Sequence, residues 1–283
     1  MMNFRNHNKI VNIKIFNNAQ LSTTDFSNAF NGMTNLVKCE IPYKKLTNMH
    51  YTYYNCYNLT GSPVCGPNVT SMYSTYYNCS NLTGSPVCGP NVTDMSSAYE
   101  NCYNLTGSAV CGDNVNRMYY TYYNCRNLTT AVCGNKVTDM SYAYRNCGNI
   151  TNALFYSNNV VNVYSCFYGR NTSNILDIYV HNGSTTLNTC LSNNYTSSLV
   201  GLNITWTNNG TCHYNKQYNI YIYPVDGDID TAKVDKQIER LIDFEYTEND
   251  DGTYTITDWK GTLNGESSTE CIIPEHKLIK VQF

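Results

Sequence analysis

The fold class this sequence predicts is an α/β repeat solenoid, each coil a short strand plus a helical turn, followed by a small α+β module. Three observations carry the prediction. One phrase, Met-x-x-x-Tyr-x-Asn-Cys-x-Asn-Leu-Thr-Gly-Ser-Pro-Val-Cys-Gly-Pro-Asn-Val-Thr, restarts at Met49, Met72, Met95, Met118 and Met140, in steps of 23, 23, 23 and 22 residues. Periods of this size belong to solenoids, whose units bury a face only against their neighbours. Within the phrase the apolar positions recur in register, so each becomes a column through the stack. Gly61, Pro63, Gly66 and Pro67 recur between those positions as the punctuation of a coil that must turn.

Composition narrows the function classes. The 283-residue chain has a net charge of −3 and only 14% charged residues, which excludes a polyanion-binding surface. Its 42% hydrophobic content is inflated by 27 tyrosines and 14 cysteines. No window approaches about 18 consecutive apolar residues, so no membrane span is expected. Residues 1–9 lack the apolar core of a secretory signal, implying either no export by that route or a leader already removed.

In chain order, residues 1–25 form an N-terminal cap, with Ile10, Val11, Ile13 and Ile15 as a strand-like run. The solenoid spans 26–210. It opens on a divergent copy in which Phe26, Phe30, Met33, Leu36 and Ile41 stand where Met49, Tyr53, Cys56, Leu59 and Val64 stand later, apolar for apolar. Leu59 and Val64 point inward beside the strand, and Val69, Met72, Tyr76 and Cys79 line the helical side. Thr93-Asp94 and Thr138-Asp139 offer oxygens suited to a helix N-cap. Pro63 and Pro86 cannot donate to a ladder, so strands there should be short and irregular. That proline becomes Ala109 in the fourth copy and is then lost. The repeat fades through Val163, Cys166-Phe167, Ile175–Val180 and Leu187, and an Asn-Gly-rich stretch at Thr207–Cys212 marks a boundary.

Residues 211–283 differ in kind. Tyr218–Tyr223 alternates like a strand, and Asp228–Phe244 has helical spacing with Asp228, Asp230 and Thr231 to cap it. Phe244–Thr247 and Thr253–Trp259 flank Asn249-Asp250-Asp251-Gly252 as a hairpin, and Cys271-Ile272-Ile273-Pro274 ends another strand.

The cysteines fall into two columns, Cys56, Cys79, Cys102, Cys125 and Cys147, and Cys65, Cys88, Cys111 and Cys133. Stacked about 4.8 Å apart, each column reads as small buried side chains rather than chemistry. A disulfide between rungs is sterically allowed, but free thiols are the favoured reading. No Cys-x-x-Cys pair points to zinc, and no other metal or cofactor is expected. Asn55, Asn78, Asn101, Asn124 and Asn146 share one position, and Asn58, Asn81, Asn104, Asn127 and Asn149 another. Amides carry donors and an acceptor, so such columns can satisfy one another from rung to rung. That reading outweighs the glycosylation sequons that some of them match.

Leu36-Val37-Lys38-Cys39-Glu40-Ile41-Pro42-Tyr43-Lys44-Lys45-Leu46-Thr47-Asn48-Met49, followed by Tyr53, Cys56 and Leu59, resembles the leucine-rich repeats of BspA-like proteins. Val137-Thr138-Asp139-Met140-Ser141-Tyr142-Ala143-Tyr144-Arg145-Asn146-Cys147 is similar to related repeats of bacterial surface lipoproteins. The likeness covers roughly residues 26–165. Asp243–Pro274, with Asp251-Gly252-Thr253-Tyr254 and Ile272-Ile273-Pro274, looks like the segment that opens such arrays. Tyrosine replaces the family's usual phenylalanine, and Val-Cys-Gly-Pro mostly replaces Ile-Pro. The resemblance implies a leucine-rich-repeat-like solenoid that binds, as in adhesins and phage structural proteins.

No catalytic constellation is present. His7, His50, His181, His213 and His276 are scattered and sit beside no recognisable nucleophile motif. Asp226, Asp228 and Asp230 faintly follow a calcium loop, but position 12 is Gln237, and helix capping explains them better. Tyrosine is the surplus with functional content. Tyr53, Tyr76, Tyr99, Tyr122 and Tyr144 fill a core column, with hydroxyls expected at a rim. The next position, Tyr54, Tyr77, Glu100, Tyr123 and Arg145, should point outward. The candidate ligand-binding residues are Tyr51, Tyr54, Tyr57, Tyr77, Tyr103, Tyr120 and Tyr123, whose rings offer rigid contact area to protein or sugar. The expected function is therefore non-catalytic: a bacteriophage tail, fibre or decoration protein assembled in the cytoplasm, binding other virion proteins or a host-surface glycan or protein. A bacterial surface adhesin and an intracellular protein–protein scaffold are the alternatives. No nucleic-acid partner is expected, and the oligomeric state is left open.

Overall fold

A computed structural model describes residues 4–16 and 23–233, together with the backbone of five short strands beyond them. The chain divides into two compact units, Met1–Asp226 and Gly227–Phe283.

The first unit is a solenoid of about seven stacked coils. Its polar backbone is satisfied between coils, as burial requires. In the outer segment, alternate N–H groups reach the next coil: Met72 to the Asp94 carbonyl, Ser74 to Ser96, Tyr76 to Ala98 and Asn78 to Glu100, at 2.8–3.0 Å. The N–H groups between them close tight turns within the coil, Thr75 onto Met72 and Cys79 onto Tyr76, both at 3.0 Å. This segment is where the sequence predicts a helical turn, and no helix forms there. Each coil carries two left-handed residues four apart, such as Tyr51 (φ 53°) and Asn55 (φ 60°), and a right-handed helix cannot continue through them. Asp94 and Asp139 consequently cap no helix. Each accepts the N–H two residues on, from Ser96 at 2.8 Å and Ser141 at 2.9 Å, as a local Asx turn.

On the opposite side the strands are unequal. β1 (Asn12–Lys14) pairs in parallel with β2 (Lys38–Glu40) at the first coil. The coils containing Pro63 and Pro86 have no strand at that level. A continuous sheet starts at β3 (Thr106–Ala109), where alanine replaces the proline. It continues through β4 (Asn127–Cys133), β5 (Asn152–Phe155) and β6 (Leu176–His181), all parallel. After the short helix α1 (Thr185–Leu191), capped by Ser184, the hairpin β7 (Thr207–Asn208) and β8 (His213–Asn215) leads to β9 (Ile220–Val225). β9 pairs in parallel with β6, so the first unit extends beyond residue 210, where the sequence ends it, to Asp226. The Asn-Gly stretch is a hairpin turn within the unit rather than a boundary.

The core is a set of columns. Phe30, Tyr53, Tyr76, Tyr99, Tyr122, Tyr144 and Phe167 stack in sequence with centroids 5.1–5.6 Å apart. Phe4 covers the first of them at 5.8 Å. The tyrosine hydroxyls do not reach a rim as the sequence suggests. They turn inward: Tyr76 hydrogen-bonds the backbone of Val64 and Tyr99 that of Val87, while Tyr53 donates to the Cys39 sulfur. Cys56, Cys79, Cys102, Cys125 and Cys147 are fully buried, each thiol donating to a carbonyl of an earlier coil, as Cys79 does to Tyr53 at 3.1 Å. The second cysteine column is only half-buried at Cys65, Cys88 and Cys111, and fully buried at Cys133. Val64 is also half-buried. Pro63, Pro86, Ala109 and Ala131 hold the inward position, and the valine that follows each of them is only half-buried. At the corner that follows, a Cβ on Gly89 would lie 2.8 Å from the Gly66 carbonyl oxygen, so this close approach of coils admits only glycine.

In the second unit, β10 (Phe244–Glu248) pairs antiparallel with β11 (Tyr254–Trp259), which pairs in parallel with β14 (Ile279–Val281). β12 (Thr262–Leu263) and β13 (Glu266–Ser267) form a second small ladder. The Asp228 carboxylate accepts the Thr231 N–H at 2.8 Å, capping a helical turn at 229–233. The rest of the predicted helix, the Asn249–Gly252 turn and the Cys271–Pro274 strand lie outside the described residues.

Candidate functional site

The outer segment of each coil decides which tyrosines are displayed. Tyr53 turns inward, so Tyr51 and Tyr54 on either side of it face out. The asparagine at its end holds the geometry. Asn78 donates to Asn55 at 2.8 Å, Asn101 to Asn78 at 2.7 Å, Asn124 to Asn101 at 2.6 Å and Asn146 to Asn124 at 2.9 Å. All five adopt φ near 60°, a conformation asparagine tolerates better than other side chains. The second asparagine column, at exposed Asn58, Asn81, Asn104 and Asn127, ties coils more loosely, with Asn104 donating to the Ser80 carbonyl and Asn127 to Tyr103.

The displayed rings form two patches. In the first, Tyr54 and Tyr77 stack at 4.6 Å and 9°, Tyr51 packs edge-on against Tyr54 and Tyr73, and His50 stacks on Tyr51 at 4.6 Å. Burial lowers the His50 pKa below the usual imidazole range. In the second, Tyr120 stacks on Tyr142 at 4.4 Å and touches Tyr119 and Tyr123. Tyr142 continues to Tyr164, and Tyr164 to Tyr195, whose hydroxyls meet at 2.8 Å. Tyr119, Ser141, Tyr142, Asn162, Tyr164, Tyr195 and Thr196 line an open cleft of about 200 Å³. Desolvation pushes the Tyr120 hydroxyl up to about 12, so this phenol stays a neutral donor across the physiological range. Arg145 lies over the rings of Tyr168 at 4.5 Å and Tyr142 at 5.6 Å.

Of the predicted residues, the first patch gathers Tyr51, Tyr54 and Tyr77, and the second gathers Tyr120 and Tyr123. Tyr57 (40% exposed) and Tyr103 (37%) belong to a neighbouring column, where Arg126 lies 5.2 Å over Tyr103. The coil between the patches carries Ser96, Ser97 and Glu100 in place of rings. The predicted set omits His50, Tyr73, Tyr119, Tyr142, Tyr164 and Tyr195. Four of these occupy one repeat position, which reads His50, Tyr73, Ser96, Tyr119, Ser141 and Tyr164, so that column held the missing signal.

The thiols of the two repeat columns are poorly placed to ionise. None of the described cysteines is in a disulfide. Desolvation raises Cys56 to about 12 and Cys65 to about 11, far from the thiolate a nucleophile needs. Among the described residues, no three histidine, cysteine or carboxylate groups converge as a metal site would require. No helix of the described residues is long and apolar enough to cross a membrane. No family model matches the chain, and no curated protein or solved structure matches it either.

Proposed function

We propose that this chain is a non-catalytic structural and binding protein, a bacteriophage virion component of tail, fibre or decoration type, whose tyrosine face attaches to a protein or glycan. One observation carries the binding reading. Tyr51, Tyr120 and Tyr142 occupy left-handed backbone at φ 53°, 55° and 58°, where Asn28, Ser74, Ser97 and Ser165 make the same turn in other coils. A bulky residue there costs on the order of 1 kcal/mol. The fold does not require an aromatic at that position, so its retention in three coils supports selection for display. Rigid phenol rings supply large contact area with little entropy lost on binding.

The virion reading draws support from the unpaired cysteines, which suit assembly in a reducing compartment. A bacterial surface adhesin of BspA-like type is the second reading, favoured by the repeat phrase of residues 36–59. In both readings the coils are leucine-rich-repeat-like, and the chain beyond Asp226 is a small α+β module, supported by its hairpin and capped helical turn.

A glycan array and a host-envelope binding assay test the face, comparing the wild type with the triple variant Tyr54→Ala, Tyr77→Ala, Tyr123→Ala. Binding should fall to background, and undiminished binding overturns the reading. Mass spectrometry of particles from lysed producer cells should find the chain in virions. Its recovery in the cell envelope instead favours the adhesin. Thiol titration of the unfolded protein should find most cysteines reduced, and mostly oxidised cysteines would sink cytoplasmic assembly.

A further inference from the structure

Glu100 is the unexpected member of the outward column. Tyr54, Tyr77, Glu100 and Tyr123 lie on successive rungs, because Asn55, Asn78 and Asn101 donate to the carbonyls of Tyr77, Glu100 and Tyr123, each at 2.8 Å. Two stacked rings thus lead directly to a carboxylate, with a third ring on the far side. The side chain is half-buried, and Ser97 Oγ donates to its Oε2 at 2.8 Å. Among the described residues no lysine, arginine or histidine pairs with it; the ion pairs are Lys14 and Lys38 with Glu40, and Arg117 with Asp94. Burial holds its carboxyl above the usual range, against the Ser97 hydrogen bond that lowers it. Its field reaches the phenols of Tyr54 and Tyr77, which also feel Tyr57, and Tyr77 feels Tyr103 as well.

The chemistry of this cluster is that of stacked aromatic rings beside an anion. Ring faces attract cations, and a desolvated carboxylate selects for one that brings hydrogen-bond donors. A metal ion would find a single carboxylate beside neutral hydroxyls, too little charge to hold it. A neutral sugar would stack on the rings and leave the charge unpaired. An arginine satisfies both features, since its planar guanidinium stacks on phenols and forks onto a carboxylate while its stem covers apolar surface. The same molecule shows the stacking half of this arrangement at Arg145 over Tyr168 and at Arg126 over Tyr103.

We propose that Glu100, Tyr54 and Tyr77, flanked by Tyr57 and Tyr103, form a subsite for an arginine side chain presented by a partner polypeptide. The proposal rests on the reading of the tyrosine face as an attachment surface and makes that partner a protein.

The test is an NMR titration of the full chain with N-acetyl-arginine amide and with its neutral counterpart N-acetyl-citrulline amide. Saturable shifts at Glu100 and at the Tyr54 and Tyr77 rings are expected with arginine, and at least about tenfold weaker binding with citrulline. Glu100→Gln should lower arginine affinity by a similar factor. That variant removes a poorly solvated charge, so it should fold at least as well as the wild type. Equal binding of citrulline, or undiminished binding by Glu100→Gln, overturns the proposal. Attachment through the tyrosine face without arginine binding removes the subsite and leaves the attachment reading. Glycan binding that neither arginine nor Glu100→Gln alters also overturns it. Arginine binding in a chain that attaches to nothing supports the subsite and counts against the broader function.

Discussion

The coils around Pro63 and Pro86 and the coils around Ala131 and Ala153 enclose the same stack of rings with different backbones. In the alanine coils the inward strand joins a parallel ladder, with Ala131 opposite Ala153 and Val132 opposite Leu154. In the proline coils there is no strand, because proline has no N–H to give. There the core tyrosine supplies what the ladder lacks. The Tyr76 hydroxyl accepts the Val64 N–H at 2.9 Å and donates to the Val64 carbonyl at 2.7 Å, and Tyr99 does the same for Val87 at 3.2 and 2.7 Å. Tyr144, facing the ladder, only donates, to the Val132 carbonyl at 2.8 Å. Phe30 and Phe167 end the stack without hydroxyls. The comparison teaches why this core uses tyrosine: a phenol can stack like phenylalanine and also satisfy a backbone that proline has withdrawn from the sheet.

The largest effect should come from making an alanine coil into a proline coil. Ala131→Pro, between β3 and β5, should cost about 3 kcal/mol, while Pro86→Ala should change stability by less than about 1 kcal/mol. Chemical denaturation measures both, and equal costs would break the comparison. Amide hydrogen exchange sharpens it, since residues 127–133 and 152–155 should exchange more slowly than 61–66 and 84–89.

Next in size is loss of a hydroxyl. Tyr99→Phe strands both polar groups of Val87 and should cost about 2 kcal/mol, against about 1 kcal/mol for Tyr144→Phe. Identical losses would show that the hydroxyl does not replace the ladder. The asparagine column runs through both regions, and Asn78 and Asn124 each donate one amide bond and accept another. Asn78→Ala and Asn124→Ala should therefore cost alike, about 1 kcal/mol each, with glycine recovering the part due to left-handed backbone. The smallest change is a gain. Tyr120→Asn should stabilise the fold by a few tenths of a kcal/mol, by relieving backbone strain, while weakening attachment.

The stacking of coils was legible from the repeat itself, because each apolar position at Met49, Tyr53 and Cys56 recurs and can be buried only against its copies. The helical turn was not. Alternating right- and left-handed residues leave apolar spacing that imitates a helix over so short a span, and only the positive φ values at Tyr51 and Asn55 separate the two. Val64 was assigned inward because valine is apolar, yet the buried position there belongs to Pro63 and Val64 is only half-buried. The ligand candidates Tyr54, Tyr77, Tyr120 and Tyr123 were readable as outward residues. Their grouping with His50, Tyr73, Tyr164 and Tyr195 was not, since Tyr195 lies in a segment that has lost the phrase. Glu100 looked like a gap in an aromatic column, and only its half-burial without a counterion gives it a role.

What the sequence determined by itself is the period, the identity of the columns and the place where proline forbids a ladder, because these follow from spacing and from the chemistry of single residues. Only the tertiary structure decided where the phenol hydroxyls go, where the first unit ends and which surface rings touch. Those outcomes depend on how each coil is rotated and closed against the next, and that is set by hydrogen bonds between residues 12 to 49 positions apart, which no local pattern encodes.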